Sequence, residues 1–433
     1  MAKPTIFIPG FPASELHDSN TGEKLFPPPL TNIGGALQKL VQVPGDVIAG
    51  PPIADKIPKI APAASTLYKI LGDYGISEAN GNFIPIGWDW RLSVASDDTV
   101  ARVKAAVDQL TPQGKIVAVI HSTGGLVLRA FLQKMPDYVE RFEQVLALAI
   151  PWRGTLEALH AVDKGSEIAI GPIKLLSAAA SKDLLTRAQA AYDLFPADAA
   201  TSLFFSGNAP STPLTDRTWL DPARPYMTQR CDDAFPQSDT FADLPVTNLC
   251  GWGGDTWARC DSAGGALSFG APDNEVGDGT VQFVSSSSLQ GDKVRSMFLP
   301  VGAFAEGLIP QYHGQIWEPK VVRQIFDEVF DDAQPAPLVV AAADKDQYID
   351  PASPVRIRIA ANAADGSPLP NAKVSFRNGT QIETHSMNGR KRMDLILPRE
   401  SFGQQPAPNT RRTELTVAWD GGSQKIPILI QTA

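Results

Sequence analysis

Ser122 interrupts an apolar run, Val117-Ala118-Val119-Ile120-His121-Ser122-Thr123-Gly124-Gly125-Leu126, where small residues follow and a helical pattern begins. Strand, sharp turn and helix in that order present a serine hydroxyl beside a helix N-terminus. There it can attack an electrophilic carbon once a base removes its proton. Gly124, two positions on, lets the helix pass close to the strand. Ile120 stands two positions before the serine, where a glycine is usual, so a strict G-x-S-x-G pattern is not met. A surface serine in an ordinary strand-to-helix turn would look similar.

A base and an acid must accompany such a nucleophile, and in α/β-hydrolases the chain order is Ser, then Asp or Glu, then His. The chain has five histidines: His17, His121, His160, His313 and His385. His17 precedes the serine, and His121 adjoins it with its ring expected to point elsewhere. His160 comes too early for an acid to precede it in the usual place, and His385 lies in a C-terminal region of different periodicity. His313 remains, in Gln311-Tyr312-His313-Gly314-Gln315, ahead of a helical pattern from Glu318 to Phe330. Asp278, between Gly277 and Gly279, is the leading acid, with Asp273 as the alternative. An imidazole so placed takes the serine proton, and the carboxylate holds its tautomer and stabilises the imidazolium. The oxyanion needs two N–H donors. Thr123 follows the nucleophile, and Phe11 follows the Ile8-Pro9-Gly10 strand end, Pro12 having no N–H to give.

Five stretches in order resemble the lecithin:cholesterol acyltransferase-like family of lipid acyltransferases and phospholipases. They are Ile8-Pro9-Gly10 with Ser14-Glu15-Leu16; Gly87-Trp88-Asp89-Trp90-Arg91-Leu92; His121 to Gly125; Ala149-Ile150-Pro151-Trp152-Arg153-Gly154-Thr155; and Gly277-Asp278-Gly279-Thr280-Val281, with His313 beyond. The resemblance spans roughly residues 4 to 330. It implies a triad of Ser122, Asp278 and His313, oxyanion donors at Phe11 and Thr123, and an acyl ester, most plausibly of a lipid, as substrate.

Composition narrows the class. A chain of 433 residues is too long for one compact core, so two domains are expected. A net charge of −9 with no basic cluster argues against nucleic acid and against steady binding to anionic membranes. No stretch approaches the ~20 apolar residues of a membrane span. The first strand starts close to Met1, leaving no signal peptide, so the chain as written is expected to be cytoplasmic unless a leader was removed or export takes another route. Cys231, Cys250 and Cys260 are sparse; Cys250 and Cys260 flank a Gly/Trp loop where a bridge is conceivable, though reduced thiols suit a leaderless protein better. Neither they nor the scattered histidines have metal-ligand spacing. No metal or other cofactor is expected.

Strand candidates at Thr5–Pro9, Asn82–Ile86, Lys115–Ile120, Val145–Ile150, Val246–Cys250 and Ser296–Leu299 alternate with helical patterns, such as Asp98 to Leu110. That order predicts an α/β-hydrolase fold with a largely parallel sheet over residues 1–333. Residues 11–66, rich in Pro and Gly, are expected as extended loops over the sheet edge. An insertion at 155–245, with a helical segment from Ile168 to Ala191, is expected as a lid or as a helical decoration. Trp88 and Trp152 are candidates to line a substrate pocket, buried packing being the other reading. After a Pro/Ala linker the period changes to two over residues 338–433, with turns at Asp365-Gly366 and Asn378-Gly379. An all-β immunoglobulin-like sandwich is predicted there, for attachment to a surface or protein partner, positioning or stabilisation. As a separate unit it should be removable with little loss of small-ester turnover. A binding module on an inactive hydrolase scaffold and a serine peptidase of the same fold are the alternative functions.

Overall fold

The computed structural model describes residues 2–29, 31–42, 45–54, 64–166, 168–170, 173–196, 240–263, 266–300, 313–317, 320–343, 355–378, 381–397, 401, 403–404 and 410–431. Six parallel strands form the central sheet, in spatial order Val294–Pro300, Val246–Trp252, Phe142–Leu148, Ile116–His121, Thr5–Ile8 and Phe83–Pro85. Each overlaps a strand expected from the sequence. The sheet with its flanking helices fits the α/β-hydrolase architecture.

The apolar runs follow from burial on both faces. Ile6, Ile8, Ala118, Ile120, Val145 and Ala147 face one cluster, while Phe7, Val117, Val119, Leu146 and Leu148 face another. Adjacent side chains on a strand point to opposite sides, so a sheet covered twice needs apolar residues at every position. Full burial of one such aliphatic side chain contributes roughly 1.5–3 kcal/mol, more than strand propensity supplies. Helix Asp97–Leu110 covers the first face. Ser96 caps it by accepting the N–H of Thr99, and Val100, Val103, Val107 and Leu110 are buried. Helix Lys320–Phe330 covers the second with Val322, Ile325, Phe326 and Val329.

Two expectations need correction. Much of residues 11–66 is ordered structure rather than extended loop. Strands Ser14–Asp18, Lys24–Phe26 and Val47–Pro52 make an antiparallel sheet, and helix Ile33–Leu40 packs beside it. Leu16, Leu25, Phe26, Ala36 and Leu40 supply the buried contacts that outweigh the Pro and Gly content. The helical pattern from Ile168 likewise begins as an antiparallel pair, Ile168–Ile170 with Ile173–Leu176, and becomes helical only at Ala178–Leu185. The sequence between the two strands is Gly171-Pro172, a helix-breaking pair, and the flanking isoleucines favour strand. Most of the remaining insertion lies outside the described residues.

Beyond Phe330 the strands are antiparallel. Leu338–Ala343, Val355–Asn362 and Arg392–Leu397 form one sheet; Lys373–Asn378, Gln381–Ser386, Gly403–Gln404, Thr410–Trp419 and Gly422–Gln431 form another. Their inner residues, among them Ile357, Ile359, Val374, Leu395, Leu415 and Val417, share one apolar cluster.

Candidate active site

Ser122 sits at φ 52°, in the left-handed region that a non-glycine residue adopts only where the surroundings impose it. Its N–H donates to the carbonyl of Leu148 on the next strand at 3.0 Å. Three glycines leave the room this turn needs. A Cβ on Gly10 would lie 2.6 Å from the Ser122 Cβ, one on Gly124 would lie 2.2 Å from the Ile8 carbonyl oxygen, and one on Gly125 would meet Ile150 at 2.3 Å. Ile120 is accommodated because its side chain points into the apolar cluster under helix Asp97–Leu110, away from the turn.

Asp278 and His313 meet in space. His313 Nδ1 donates to Asp278 Oδ2 at 2.8 Å, and the His313 backbone N–H donates to the Asp278 carbonyl at 3.1 Å. The other carboxylate oxygen accepts the N–H groups of Thr280 and Val281 at 3.1 and 2.8 Å. A fully buried carboxylate that accepts three hydrogen bonds is held in one orientation. The loop is tight. Gly279 is at φ 98°, and Thr256 Oγ1 accepts its N–H at 2.8 Å. Asp273 instead lies on strand Pro272–Gly277, with its backbone paired to Thr256.

The other histidines are engaged elsewhere. His17 bonds Glu15, His160 stacks on Trp257 with ring centroids 4.4 Å apart, and His385 stacks on Phe376. His121 has a place that the sequence did not reveal. Its Nε2 donates to the His313 carbonyl at 3.1 Å, and its ring lies 4.8 Å from that of His313 and 4.9 Å from that of Trp317. It is 2 % exposed, and its Nδ1 has no partner among the described residues. Burial, and then the neighbouring His313, push its pKa well below the ordinary 6.5. It is held neutral, as a spacer between the serine turn and the His313 loop.

Neither the Phe11 nor the Thr123 backbone N–H donates to a described residue. The Phe11 turn is braced from behind. Ala13 N–H donates to the Gly10 carbonyl, and Trp88 Nε1 donates to the Pro9 carbonyl at 3.1 Å. The Phe11 ring packs edge-on against Trp90. Asp89 and Arg91 form a buried two-pronged pair at 2.9 and 2.7 Å, and Arg91 also donates to the carbonyls of Leu40 and Gln42. The Asp-Trp-Arg stretch thus fastens the end of helix Ile33–Leu40 through Arg91, and its Trp90 Nε1 donates to the Ser14 carbonyl at 3.2 Å.

Trp88 and Trp152 take the packing alternative. They are 0 % and 1 % exposed, and the Trp152 Nε1 donates to Asn248 while Arg129 lies 4.5 Å over its ring. Cys250 and Cys260 are free, buried thiols. Among the described residues no group of three or more His, Cys, Asp or Glu side chains could hold a metal ion, and no helix is long and apolar enough to cross a membrane.

The family model for lecithin:cholesterol acyltransferase matches residues 56–235. That span includes Ser122 and the Asp-Trp-Arg stretch, while Asp278 and His313 lie beyond it. No curated protein matches the chain in sequence. Among solved structures, the chain is similar to one in the Tle4-Tli4 complex at 13 % identity and TM-score 0.48, covering 74 % of this chain and 96 % of that one. It is similar to a thermophilic esterase from Thermogutta terrifontis at 13 % identity and TM-score 0.29, covering 76 % and 89 %. It is also similar to the phospholipase PlaB from Legionella pneumophila at 11 % identity and TM-score 0.27, covering 84 % and 85 %. Likenesses this distant carry no argument about activity.

Proposed function

We propose that the chain is a serine-dependent carboxylic ester hydrolase or O-acyltransferase acting on acyl esters of lipids. The observation that carries the proposal is the Asp278–His313 pair, hydrogen-bonded at 2.8 Å, on a loop that His121 ties to the strained Ser122 turn. The acyltransferase family match over residues 56–235 supports the substrate class.

In this reading His313 removes the Ser122 proton as Oγ attacks the ester carbonyl. The N–H groups of Phe11 and Thr123 donate to the developing oxyanion. Collapse expels the alcohol, which takes its proton from the imidazolium. Water or a second alcohol then attacks the acyl-serine, His313 again accepting a proton, and the free serine is restored. Hydrolysis and transfer share every step but the identity of that acceptor. For residues 338–433 we propose an immunoglobulin-like sandwich, in keeping with the two antiparallel sheets and their common apolar interior.

A fluorophosphonate probe tests the proposal. The wild-type chain should label and Ser122→Ala should not. Turnover of p-nitrophenyl acyl esters should fall by about 10³ or more in Ser122→Ala and in His313→Ala. Equal labelling of both proteins would overturn the proposal. Product analysis with a phospholipid, a neutral lipid and an added alcohol in one tube then separates hydrolysis from transfer.

A further inference from the structure

Strand Val294–Pro300 is the outer strand of the parallel sheet and would otherwise leave backbone groups open. The C-terminal sheets cover it. Asn362 uses its side chain as a substitute strand, accepting the Phe298 N–H at 2.9 Å and donating to the Phe298 carbonyl at 3.1 Å. Lys391 Nζ donates to the Ser296 carbonyl at 3.0 Å and sits 4.0 Å over the Phe298 ring. Arg295 donates to the Ala364 carbonyl at 2.9 Å, and a Cβ on Gly366 would meet Arg295 at 2.8 Å.

One strand belongs to both halves of the chain. Leu338 and Val340 join the cluster under helix Lys320–Phe330, while Val339 and Ala341 join the cluster between the antiparallel sheets. The seam is therefore a packed core rather than a hinge. Strand alternation after the Pro/Ala linker gives each cluster its own set of side chains.

The seam also reaches the acid loop. Phe283 opens the short helix that follows Asp278, and it packs edge-on against Phe298 at 4.6 Å. The Arg392 guanidinium lies 4.3 Å over the Phe283 ring and 5.3 Å over that of Trp252, at the end of the central strand Val246–Trp252. From the opposite side the loop is held by Thr155, which donates to the Thr280 carbonyl at 2.6 Å, and by Ser285, which donates to the Gly154 carbonyl at 2.7 Å.

We propose that Arg392 of the C-terminal sheet is a positioning residue for the active site, clamping Phe283 and Trp252 so that Asp278 stays aligned with His313. It touches no reacting atom. Its effect passes through the two rings to the loop whose N–H groups orient the carboxylate. A guanidinium over two aromatic faces in a partly buried seam suits this work, being flat, always charged and weakly hydrated. The inference rests on the serine-hydrolase reading.

The test uses the full chain. Arg392→Ala should lower kcat for a p-nitrophenyl ester about tenfold with KM within about twofold, since small misplacement of a catalytic group costs rate more than binding. Arg392→Lys, which keeps the charge but not the flat guanidinium, should recover only part of that rate. Hydrogen exchange at the Thr280 and Val281 amides should quicken in Arg392→Ala while the Thr5–Ile8 strand stays protected. Wild-type kcat together with unchanged exchange would overturn the inference. Should Arg392→Ala fail to fold, Phe283→Leu removes the ring and keeps an apolar side chain; unchanged amide exchange there also overturns it. Ser122→Ala is the reference. If it retains activity, the serine-hydrolase reading fails; if it is inactive while Arg392→Ala matches wild type, only the clamp fails.

Discussion

Asp278 and His313 are joined twice, through side chains at 2.8 Å and through the His313 N–H on the Asp278 carbonyl at 3.1 Å. The second bond fixes where the histidine loop crosses the acid loop, so the first is made without further search. Asp278→Asn keeps the shape but puts an amide where the imidazole needs an ionised acceptor. Ester kcat/KM should fall about 10³-fold or more, whereas Asp273→Asn should stay within about threefold of wild type. Steady-state kinetics on both variants decides between the two acids, and the reverse order would move the acid to Asp273.

His121 predicts a pH dependence of folding. Its folded-state pKa is lowered by burial and by His313, so the unfolded chain binds a proton more readily below the ordinary 6.5. The stability it contributes is fully present above that value and declines as pH falls toward the folded pKa. Urea midpoints between pH 8 and pH 5 should drop in wild type and fall less steeply in His121→Gln, which cannot be charged. Parallel slopes in the two proteins would place the effect elsewhere.

Gly10 should not tolerate a methyl group. An alanine Cβ there would lie 2.6 Å from the Ser122 Cβ, a separation that real atoms do not adopt. The turn would have to shift, at a cost of about 1–3 kcal/mol, and carry the serine with it. Gly10→Ala should lose fluorophosphonate labelling by about tenfold or more while the melting temperature falls by several degrees. Gly34→Ala, where nothing lies within 4 Å and the backbone is not in the left-handed region, is the control for a general glycine effect.

The thiols should be unreactive. Burial pushes both Cys250 and Cys260 up to about 12, so almost no thiolate exists at neutral pH. Native protein treated with iodoacetamide at pH 8 should show neither alkylated by mass spectrometry, and both should react after denaturation. Rapid native labelling of Cys250 would contradict its place in the Val246–Trp252 strand.

Much of this was legible along the chain. The six central strands are continuous apolar runs because both faces of the sheet are covered, and the helix at Asp97 announces itself through Ser96 and two acidic residues in its first turn. Ser122, Asp278 and His313 emerge from residue order and from having few histidines to choose among. The strands at Ile168–Leu176 were masked by a helix-like spacing of apolar residues, although Gly171-Pro172 was the available signal. The tryptophans were ambiguous because a buried indole and a pocket-lining one have the same local sequence.

By itself, the sequence determined what depends on near neighbours: the period of each strand and helix, the break at Ser122, the glycines around Asp278. Only the tertiary structure decided that His121 donates to a carbonyl 192 positions away, and that Arg392 lies over Phe283. Such contacts leave no period in the chain, since they are selected by the packing of whole sheets and helices rather than by the residues beside them.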